Sequence, residues 1–440
     1  GGFGFCDVVL GWDAMDQCYD NTTYTGWHKG FPDALARIDL GTFRTVPWDD
    51  NVPFFLGELV VTGDGGEAPH PICPRQVLKR VLRRAEKLGV VPMCGMEFEW
   101  FNFLETPQSW ADKKGVGPTP VTPGMFGYSL LRANANRPFF EALFNDMAAF
   151  GVPVEGLHTE TGPGVYEVAL LFSEALEAAD RAILFKTGAK EIGARFGIMP
   201  SFMAKWNQHY PGCSGHVHQS LSDGKRNLFH DAKGRHGMSK LFESYLAGQL
   251  AALMQFAPMF WPTINSYKRL VDGFWAPVKP TWAIDNRTAS FRVIPGSPKS
   301  TRLETRCPGA DINPYLAVAA LLAAGMHGVE KGLKLEDGVT LGTDALLRIA
   351  ERELTATRER FAAVASKVGK GPADQVWASI KGTHVAPGGL VTRVREQCAA
   401  LYTFLRDSGI VTVPDADALV IAPTPPFYRW TFASLWAPGP

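Results

Sequence analysis

GMEFEWF (residues 95–101) has the composition of a buried strand, yet it carries two acids. Alternate residues of a strand face the same way, so Glu97 and Glu99 share one face while Phe98 and Trp100 occupy the other. A buried carboxylate requires a counter-charge or a metal ion. The motif therefore predicts a central strand that is apolar toward a core and acidic toward a site.

Three further motifs repeat this arrangement of charged residues within apolar strands. Glu167 lies in GVYEVAL, and Glu160 precedes it by seven residues, just before a Gly- and Pro-containing turn. The same alternation pairs residues on one face in GHVHQS and in LETR, namely His216 with His218 and Glu304 with Arg306. Carboxylates with an imidazole suit Mg²⁺ or Mn²⁺ better than structural zinc. Taken singly, each motif is more typical of an exposed strand face or of a core histidine with satisfied hydrogen bonds.

A series of basic residues extends through the second half of this region and ends in LETR. Its members are Lys268, Arg269, Arg287, Arg292, Lys299, Arg302 and Arg306. They are dispersed among Pro, Gly and aromatic residues, so they do not form one solvated helix face. Guanidinium groups match carboxylate and phosphate oxygens. Acids that bind metal and arginines that bind anions together predict a phosphoryl-transfer site, although the chain has neither a P-loop motif nor the protein-kinase motifs.

Composition and charge exclude several classes of protein. The 440 residues are 46% hydrophobic and 20% charged, and 44 basic residues balance 44 acidic ones. Binders of duplex nucleic acid or of anionic membranes are expected to be basic, so neither partner is predicted. The apolar run Pro314–Val329 is too short and too interrupted for a membrane span and predicts a buried helix. Seven scattered cysteines without a CxxC pair favour a reduced, cytoplasmic protein.

The order of predicted elements indicates an α+β protein. Three β-rich runs predict a small N-terminal sheet: Phe5–Leu10, Ala36–Leu40 and Pro53–Val61. Residues 62–73 are predicted to be a linker, and helices and strands then alternate without βαβ regularity. The first residues, GGFGFCDVVLGW, lack a signal peptide and an initiator Met, which we interpret as a truncated start. We expect three regions, namely a sheet domain at 1–70, a catalytic α/β domain at 71–335 and a helical C-terminal region at 336–440.

Taken in order, the motifs resemble the glutamine synthetase family over about residues 1–330. They are GMEFEWF, ETGPGVYEV, GCSGHVHQSL, NSYKRL, NRTASFRV and RLETRCPGADINPYLA, and YDNTTYTGW resembles the family's FDGSSIGGW segment. The resemblance implies a β-grasp domain before a glutamine synthetase-type catalytic domain, assembled as a homo-oligomer of stacked rings with active sites between subunits. It implies that glutamate takes the γ-phosphate of ATP, and that an amine then displaces phosphate from γ-glutamyl phosphate.

Position by position, the resemblance implies a role for each charged motif. Two Mg²⁺ or Mn²⁺ ions would be held, one by Glu99, Glu160 and Glu167, the other by Glu97, His216 and Glu304. The carboxylates of glutamate would be held by Arg269 and Arg306 with the backbone of Gly212, and the transferring phosphoryl group by Arg287. ATP would be bound by His218, Ser220, Arg292, Lys299 and Arg302.

One departure from the family concerns the substrate amine. Family members that use ammonia carry a glutamate in GYEAP after NSYKRL, whereas this chain has LVDGFWAP, with Trp275 at that place. An indole ring cannot act as a base and favours an apolar group on the substrate, so we expect a γ-glutamylamide synthetase that uses an organic amine. Asp20 matches the family's ammonium-binding aspartate and would hold any protonated amine, and Tyr128 would line the same pocket. Glutamine synthetase activity with ammonia stays open, as does a structural ring without catalysis.

The C-terminal region departs from the family altogether. Helices are predicted over residues 344–367 and 390–408. The stretch VTVPDADALVIAPTPPFYRWTFASLWAPGP (411–440) resembles part of a bacterial family of predicted zinc peptidases that is known as a domain of unknown function. The zinc motif HExxH does not occur in the chain. We therefore expect part of a fused second domain, and a diverged family ending is the alternative.

Overall fold

The computed structural model describes residues 2–13, 16–19, 23–336, 343–382, 385–386 and 388–408. The chain forms two compact units, Gly1–Gly338 and Val339–Pro440. The first unit contains both β-sheets, and the described part of the second is helical. The predicted α+β fold class is confirmed, whereas the predicted boundary at residue 70 stays a prediction.

The N-terminal sheet has four antiparallel strands in the order β1-β2-β3-β4. The strands are β1 (Phe3–Cys6), β2 (Asp33–Val46), β3 (Val52–Gly63) and β4 (Gly66–Pro69). Two local predictions were wrong. Asp7–Leu10 forms a 3₁₀ turn instead of continuing the first strand. The predicted linker contains β4, because Gly66 adopts a φ of 93° that closes a tight hairpin with β3.

The second sheet is larger, and every strand pair in it is antiparallel except β11 with β12. Its main path runs in the order β11-β12-β13-β10-β5-β7-β6, and β8 and β9 also pair with β5. The strands are β5 (Val91–Phe103), β6 (Val154–Thr159), β7 (Val165–Leu170), β8 (Ser173–Glu174), β9 (Met199–Ser201), β10 (Gly215–Ser222), β11 (Trp282–Ile284), β12 (Phe291–Ile294) and β13 (Arg302–Thr305).

The first unit contains nine α-helices in its described residues. They are α1 (Pro74–Lys87), α2 (Pro107–Asp112), α3 (Leu130–Ala135), α4 (Arg137–Ala149), α5 (Ala175–Arg195), α6 (Lys240–Ala252), α7 (Ala257–Phe260), α8 (Ile264–Tyr267) and α9 (Pro314–Lys331). Helices α1 and α5 pack against the central strand β5. Trp100 of β5 is fully buried, and its ring lies 5.4 Å from that of Phe185 on α5 and 5.6 Å from that of Phe202. The predicted two-faced character of β5 is thus confirmed on its apolar side.

Helices α6 and α9 approach each other backbone to backbone behind β10. A Cβ atom on Gly248 would lie 2.3 Å from the carbonyl oxygen of Ala324, and one on Gly328 would lie 2.1 Å from that of Ser244. At this contact the buried amide of Gln249 donates to Leu321 O at 3.0 Å and to Gln219 Oε1 at 2.7 Å. Since Gln219 lies between His218 and Ser220 on β10, the helix pair fixes the back of the histidine strand.

The second unit contains α10 (Thr343–Val368), α11 (Ala373–Gly382) and α12 (Leu390–Ser408). The two helices predicted for this region are confirmed as α10 and α12. The rings of Phe361 and Trp377 pack edge to face between α10 and α11, with centroids 6.3 Å apart. The segment 411–440, and with it the zinc-peptidase resemblance, lies outside the described residues.

No helix in the described part of the chain is long and apolar enough to cross a membrane. The apolar run predicted to be a buried helix is α9, and most of its side chains are buried against the sheet and its neighbouring helices. All seven cysteines lie among the described residues, and all are free thiols.

Candidate active site

Cross-strand pairing brings the acids and histidines of the four motifs together on the open face of the large sheet. Residues directly opposite each other on antiparallel strands project to the same side. The opposed pairs are Glu97 with His216, Glu99 with Glu167, and His218 with Glu304. The sheet register therefore assembles one polar surface from motifs that lie up to about 200 residues apart in sequence.

This surface forms the floor of a cavity of about 310 Å³, here called the acid cavity. Twelve of the residues singled out in the sequence line it: Glu97, Glu99, Tyr128, Glu160, Glu167, Gly212, His216, Trp275, Arg287, Arg292, Glu304 and Arg306. A second cavity of about 250 Å³ is lined by His218, Ser220, Lys299 and Arg302. Glu97 lines both, so the two cavities adjoin at one carboxylate. Asp20 lies outside the described residues.

Carboxylates are crowded at one end of the acid cavity. Oxygens of Glu160 and Glu167 and a ring nitrogen of His158 lie within 4.8 Å of one another. The backbone N–H and the hydroxyl of Thr161 both donate to Glu160 Oε1 at 2.8 Å. The buried Oε2 of Glu160 has no hydrogen-bond partner among the described residues. Burial, followed by the charges of Glu99, Glu97 and Glu160, raises the pKa of Glu167 well above its ordinary value. A bound divalent cation would relieve this repulsion and occupy the free oxygen.

Histidines accompany the acids at the other end of the acid cavity. His216 Nδ1 lies 3.2 Å from Glu97 Oε2 and 3.7 Å from Glu304 Oε1. The other ring nitrogen, His216 Nε2, is buried and finds no hydrogen-bond partner in the described part of the chain. Burial, with Arg306 adding to it, lowers the pKa of His216, which favours the neutral imidazole that metals bind. Burial alone would raise the pKa of Glu97, but His218 and His216 outweigh it and hold the pKa well below its usual range.

Arginines surround the buried carboxylate of Glu304. Arg292 Nη1 donates to Glu304 Oε2 at 2.8 Å, and Arg306 also donates to Glu304. The Nε of Arg306 donates a hydrogen bond to the carbonyl oxygen of Arg287 at 2.9 Å, and this bond fixes the plane of the Arg306 guanidinium. Glu304 thus orients two arginines at the edge of the cavity. Arg292 is held on its other side by Asp285, which accepts from its Nε at 3.0 Å and from its Nη2.

Arg269 was expected to contact a substrate carboxylate, but it lies beneath the cavity floor. Its fully buried guanidinium donates to Cys307 O at 2.9 Å and to Ser214 Oγ at 2.8 Å. The N–H of Ser214 in turn donates to Glu99 Oε2 at 2.7 Å. In this structure Arg269 therefore supports the floor on which Glu99 and Arg306 sit, and its contact with substrate stays a prediction.

The mouth of the acid cavity carries two aromatic residues in strained backbone conformations. Tyr128 has a φ of 51°, and its ring centroid lies 4.8 Å from that of His158. Burial, followed by Glu160 and Glu167, raises the pKa of Tyr128 to about 12, so the phenol is neutral at neutral pH. Trp275 has a φ of 63°, is 60% exposed, and also lines a neighbouring cavity that contains Asp272.

His158 was missed in the sequence and belongs to the site. It pairs with Glu167 across β6 and β7, and its Nε2 lies 3.3 Å from Glu167 Oε2. The sequence carries one signal for it, since His158 precedes Glu160 by two residues and alternate strand residues share a face.

Arg302 was expected near the nucleotide, and it lines the second cavity together with His218. The Nε of Arg302 donates to His218 Nδ1 at 3.1 Å.

Comparison with known proteins agrees with this site. The sequence profile of the glutamine synthetase catalytic domain matches residues 71–357. The chain belongs to the glutamine synthetase family, a family of ligases, and the resemblance stated from the motifs is confirmed.

Individual relatives carry different names. The chain is 53% identical over 344 residues to type-1 glutamine synthetase 2 of Dictyostelium discoideum, covering 78% of this chain and 65% of that protein. It is 39% identical over 333 residues to gamma-glutamylethanolamide synthetase GlnA4 of Streptomyces coelicolor, covering 76% and 70%. It is 34% identical over 359 residues to glutamate–isopropylamine ligase of a Pseudomonas species, covering 81% and 78%. The chain thus spans less than two thirds of the Dictyostelium protein.

A solved structure named as a GmaS/ADP complex superposes with a TM-score of 0.65 at 28% sequence identity, covering 77% of this chain and 74% of that one. Ligand-free GmaS superposes with a TM-score of 0.63 at 27% identity. The relatives' names divide between glutamine synthetase and enzymes named for an organic amine or its amide.

Proposed function

We propose that this protein is an ATP-dependent ligase that joins the γ-carboxyl group of glutamate to an organic amine through γ-glutamyl phosphate. The observation that carries the proposal is one cavity in which clustered carboxylates, three arginines and an indole ring meet. Carboxylates that hold cations and arginines that hold anions are the parts that phosphoryl transfer requires. The indole ring supports the choice of an organic amine.

The acids fit two divalent ions, which when bound would offset the charge of the transferring phosphate. Glu99, Glu160 and Glu167 would hold one Mg²⁺ or Mn²⁺, and Glu97, His216 and Glu304 the other. His158 is a further candidate ligand beside the first group, within 3.3 Å of Glu167. The unpartnered oxygen of Glu160 and nitrogen of His216 are the atoms that favour this assignment.

The remaining residues would bind and orient the two substrates. Residues of the second cavity, His218, Ser220, Lys299 and Arg302, would bind ATP with its γ-phosphate directed past Glu97 into the acid cavity. Arg306 and the backbone of Gly212 would hold glutamate, with Arg269 supporting them. Arg287 would face the phosphoryl group, and Arg292, expected on the nucleotide side, would reach ATP from the acid cavity that it lines. A γ-carboxylate oxygen of glutamate would attack the γ-phosphorus, and ADP would leave. The protonated amine would give its proton to a carboxylate of the site, and its nitrogen lone pair would then attack the acyl carbon and displace phosphate.

Trp275 favours an organic amine over ammonia. Its indole ring lines the acid cavity, whereas the acid of the same segment, Asp272, lines the neighbouring cavity. An apolar wall gains free energy by burying an alkyl or aryl substituent and gains nothing from ammonia. Asp20 would hold the protonated amine, supplied by a neighbouring subunit of a stacked ring, and both the ring and this role are parts of the proposal.

Glutamine synthetase activity with ammonia is the second candidate, favoured by the name of the Dictyostelium relative at 53% identity. Asp272 would then be the acid that takes the proton from ammonium after movement of its segment. The two candidates differ in one measurable quantity, the ratio of γ-glutamylamide to glutamine.

The test is phosphate release from ATP and glutamate, with product masses recorded, for ammonium, methylamine, isopropylamine, ethanolamine, putrescine and aniline. We expect a γ-glutamylamide with little glutamine. Trp275→Glu should lower the amide-to-glutamine ratio by about tenfold, the order expected for one apolar contact, whereas Trp275→Phe should retain it. Glutamine as the main wild-type product would select the second candidate, and absence of turnover with every amine would favour a structural ring.

A further inference from the structure

A buried lysine lies beneath the 271–277 segment, outside the groups assigned to metals and substrates. Lys205 is 6% exposed. Its ammonium group donates to the carbonyl oxygen of Tyr210 and lies 4.2 Å from the centroid of the Phe274 ring. A cation at this distance from an aromatic face is attracted by it, more strongly where water is excluded.

The two partners of this ammonium group belong to two different segments that line the acid cavity. Tyr210 is followed directly by Pro211 and Gly212, which line the cavity. Phe274 lines it as well, next to Trp275. One buried cation thus connects the wall expected to hold glutamate with the segment at the cavity mouth.

The main chain of Lys205 is held firmly in place. Asn265 Oδ1 accepts from the N–H of Lys205 at 3.0 Å, and Asn265 Nδ2 donates to its carbonyl oxygen at 2.6 Å. Asn265 lies in α8, which Thr263 caps, and Ser266 of α8 donates to Asp311 Oδ2 at 2.6 Å. The ammonium group therefore projects from a rigid base.

The 271–277 segment is less firmly held than that base. Ala276 and Pro277 are buried at its end, but Asp272, Gly273 and Trp275 are exposed. Gly273 and Trp275 have φ values of 82° and 63°, and a left-handed conformation is unfavourable for a bulky residue unless its surroundings hold it. The half-buried ring of Phe274 ties the exposed part of the segment to Lys205.

We propose that Lys205 is a positioning residue that keeps the 271–277 segment closed over the acid cavity through Phe274 and so excludes water from the acyl phosphate. The inference rests on the proposed function. When water reaches γ-glutamyl phosphate, its oxygen attacks the acyl carbon, the bond from that carbon to the phosphate oxygen breaks, and glutamate and phosphate are released. ATP is then consumed without amide formation, a side reaction that closed segments prevent.

The test compares phosphate released with amide formed. Lys205→Met keeps the length and apolar stem of the side chain and removes its charge, so we expect the phosphate-to-amide ratio to rise about two- to tenfold. Lys240→Met, at a lysine whose side chain is 90% exposed on α6, is the matched control and should keep the wild-type ratio. Phe274→Leu should raise the ratio similarly, and the double variant should add little to either single change.

Amide hydrogen exchange provides a readout that does not require turnover. Residues 271–275 should exchange faster in Lys205→Met and Phe274→Leu than in Lys240→Met, while α8 keeps its protection. If the wild type forms amide, and both variants keep the wild-type exchange rates and the wild-type phosphate-to-amide ratio, the inference is overturned. A wild type that forms no amide overturns the proposed function instead, and exchange then decides alone whether Lys205 holds the segment. If Lys205→Met does not fold, Phe274→Leu carries the same decision.

Discussion

Two groups of buried carboxylates in the first unit differ in how completely their charge is matched. The first, here called the Arg75 network, joins Arg75 and Lys79 of α1 to Asp39, Glu58 and Asp180. Arg75 donates to both oxygens of Asp180, at 2.8 and 2.9 Å, and its remaining nitrogen contacts Asp39 at 2.8 Å and Glu58. Lys79 also pairs with Glu58. Each carboxylate has a cation of the same chain.

The acid cavity is the second group, and its charge is matched only in part. Glu304 is paired with two arginines, but Glu160 retains a buried oxygen that accepts no hydrogen bond from the described residues, and Glu167 faces three other carboxylates. Buried charge left unmatched is costly, so its presence beside a fully matched network points to ligands that complete it. The Arg75 network stabilises the packing of the N-terminal sheet on α1 and α5, whereas the acid cavity keeps places for cations.

The largest effect is expected at Glu304, the carboxylate of the acid cavity whose charge is already matched by two arginines. Glu304→Ala removes a carboxylate expected to bind metal and leaves Arg292 and Arg306 without their shared partner. We expect turnover to fall by about 10³-fold or more, since a catalytic metal supplies several kcal/mol. Phosphate release and Mn²⁺ calorimetry measure the two consequences. Glu330→Ala, at a surface pair with Arg84, is the control, and wild-type kinetics in Glu304→Ala would exclude Glu304 from the site.

The next effect concerns stability. Arg75→Met leaves Asp180 and Glu58 without their main cation in the interior, and breaking a buried ion pair in this way costs about 3–5 kcal/mol. Arg37→Met removes a pair with Glu67 whose side chains are 37% and 39% exposed, and solvent screening leaves such a pair with little effect on stability. Denaturant unfolding of both variants measures the difference. Equal losses would mean that the Arg75 network adds no more than a surface pair does.

The smallest effect is a pH-dependent difference in melting temperature at Glu167, a carboxylate whose charge is unmatched. The raised pKa of Glu167 means that its neutral form favours the folded state. This contribution is fully present below the ordinary value of 4.5 and is lost as pH rises through the raised folded pKa. Without metal, Glu167→Gln should therefore melt about 2 °C or more above wild type at neutral pH, and the gap should close as the solution is acidified.

Metal should reverse the sign of that difference. With saturating Mn²⁺ the wild type should melt higher than Glu167→Gln, because only the ionised carboxylate binds the cation. Glu86→Gln, at an exposed position on α1, should follow the wild type throughout. If the difference in melting temperature between wild type and Glu167→Gln changes with neither pH nor Mn²⁺, the charge of Glu167 is matched within the protein.

Local patterns predicted much of this structure, and longer-range pairing accounts for what they missed. The alternation in GMEFEWF correctly predicted the two faces of β5, and the helical spacing predicted α1 and α9 closely. Strand β6 was not predicted, because Pro153, Gly156 and a register shift after Val154 break its pattern. His158 was missed with it, since its place beside Glu167 depends on pairing between β6 and β7. The placement of Arg269 under the floor depends on contacts with Ser214 and Cys307 that no local pattern records.

The contact between α6 and α9 has a consequence for how this protein could acquire new substrates. At Gly248 and Gly328 the two helix backbones leave no room for a side chain, and the amides beside them hold the strand that carries both histidines. Substitutions at these two glycines would impair folding, so selection would remove them before they could alter the reaction at the acid cavity. Asp272 and Trp275 have exposed side chains, so these two positions can diverge at little cost to the fold. Divergence in amine preference within such a family would accumulate at the mouth of the cavity while its floor stayed the same.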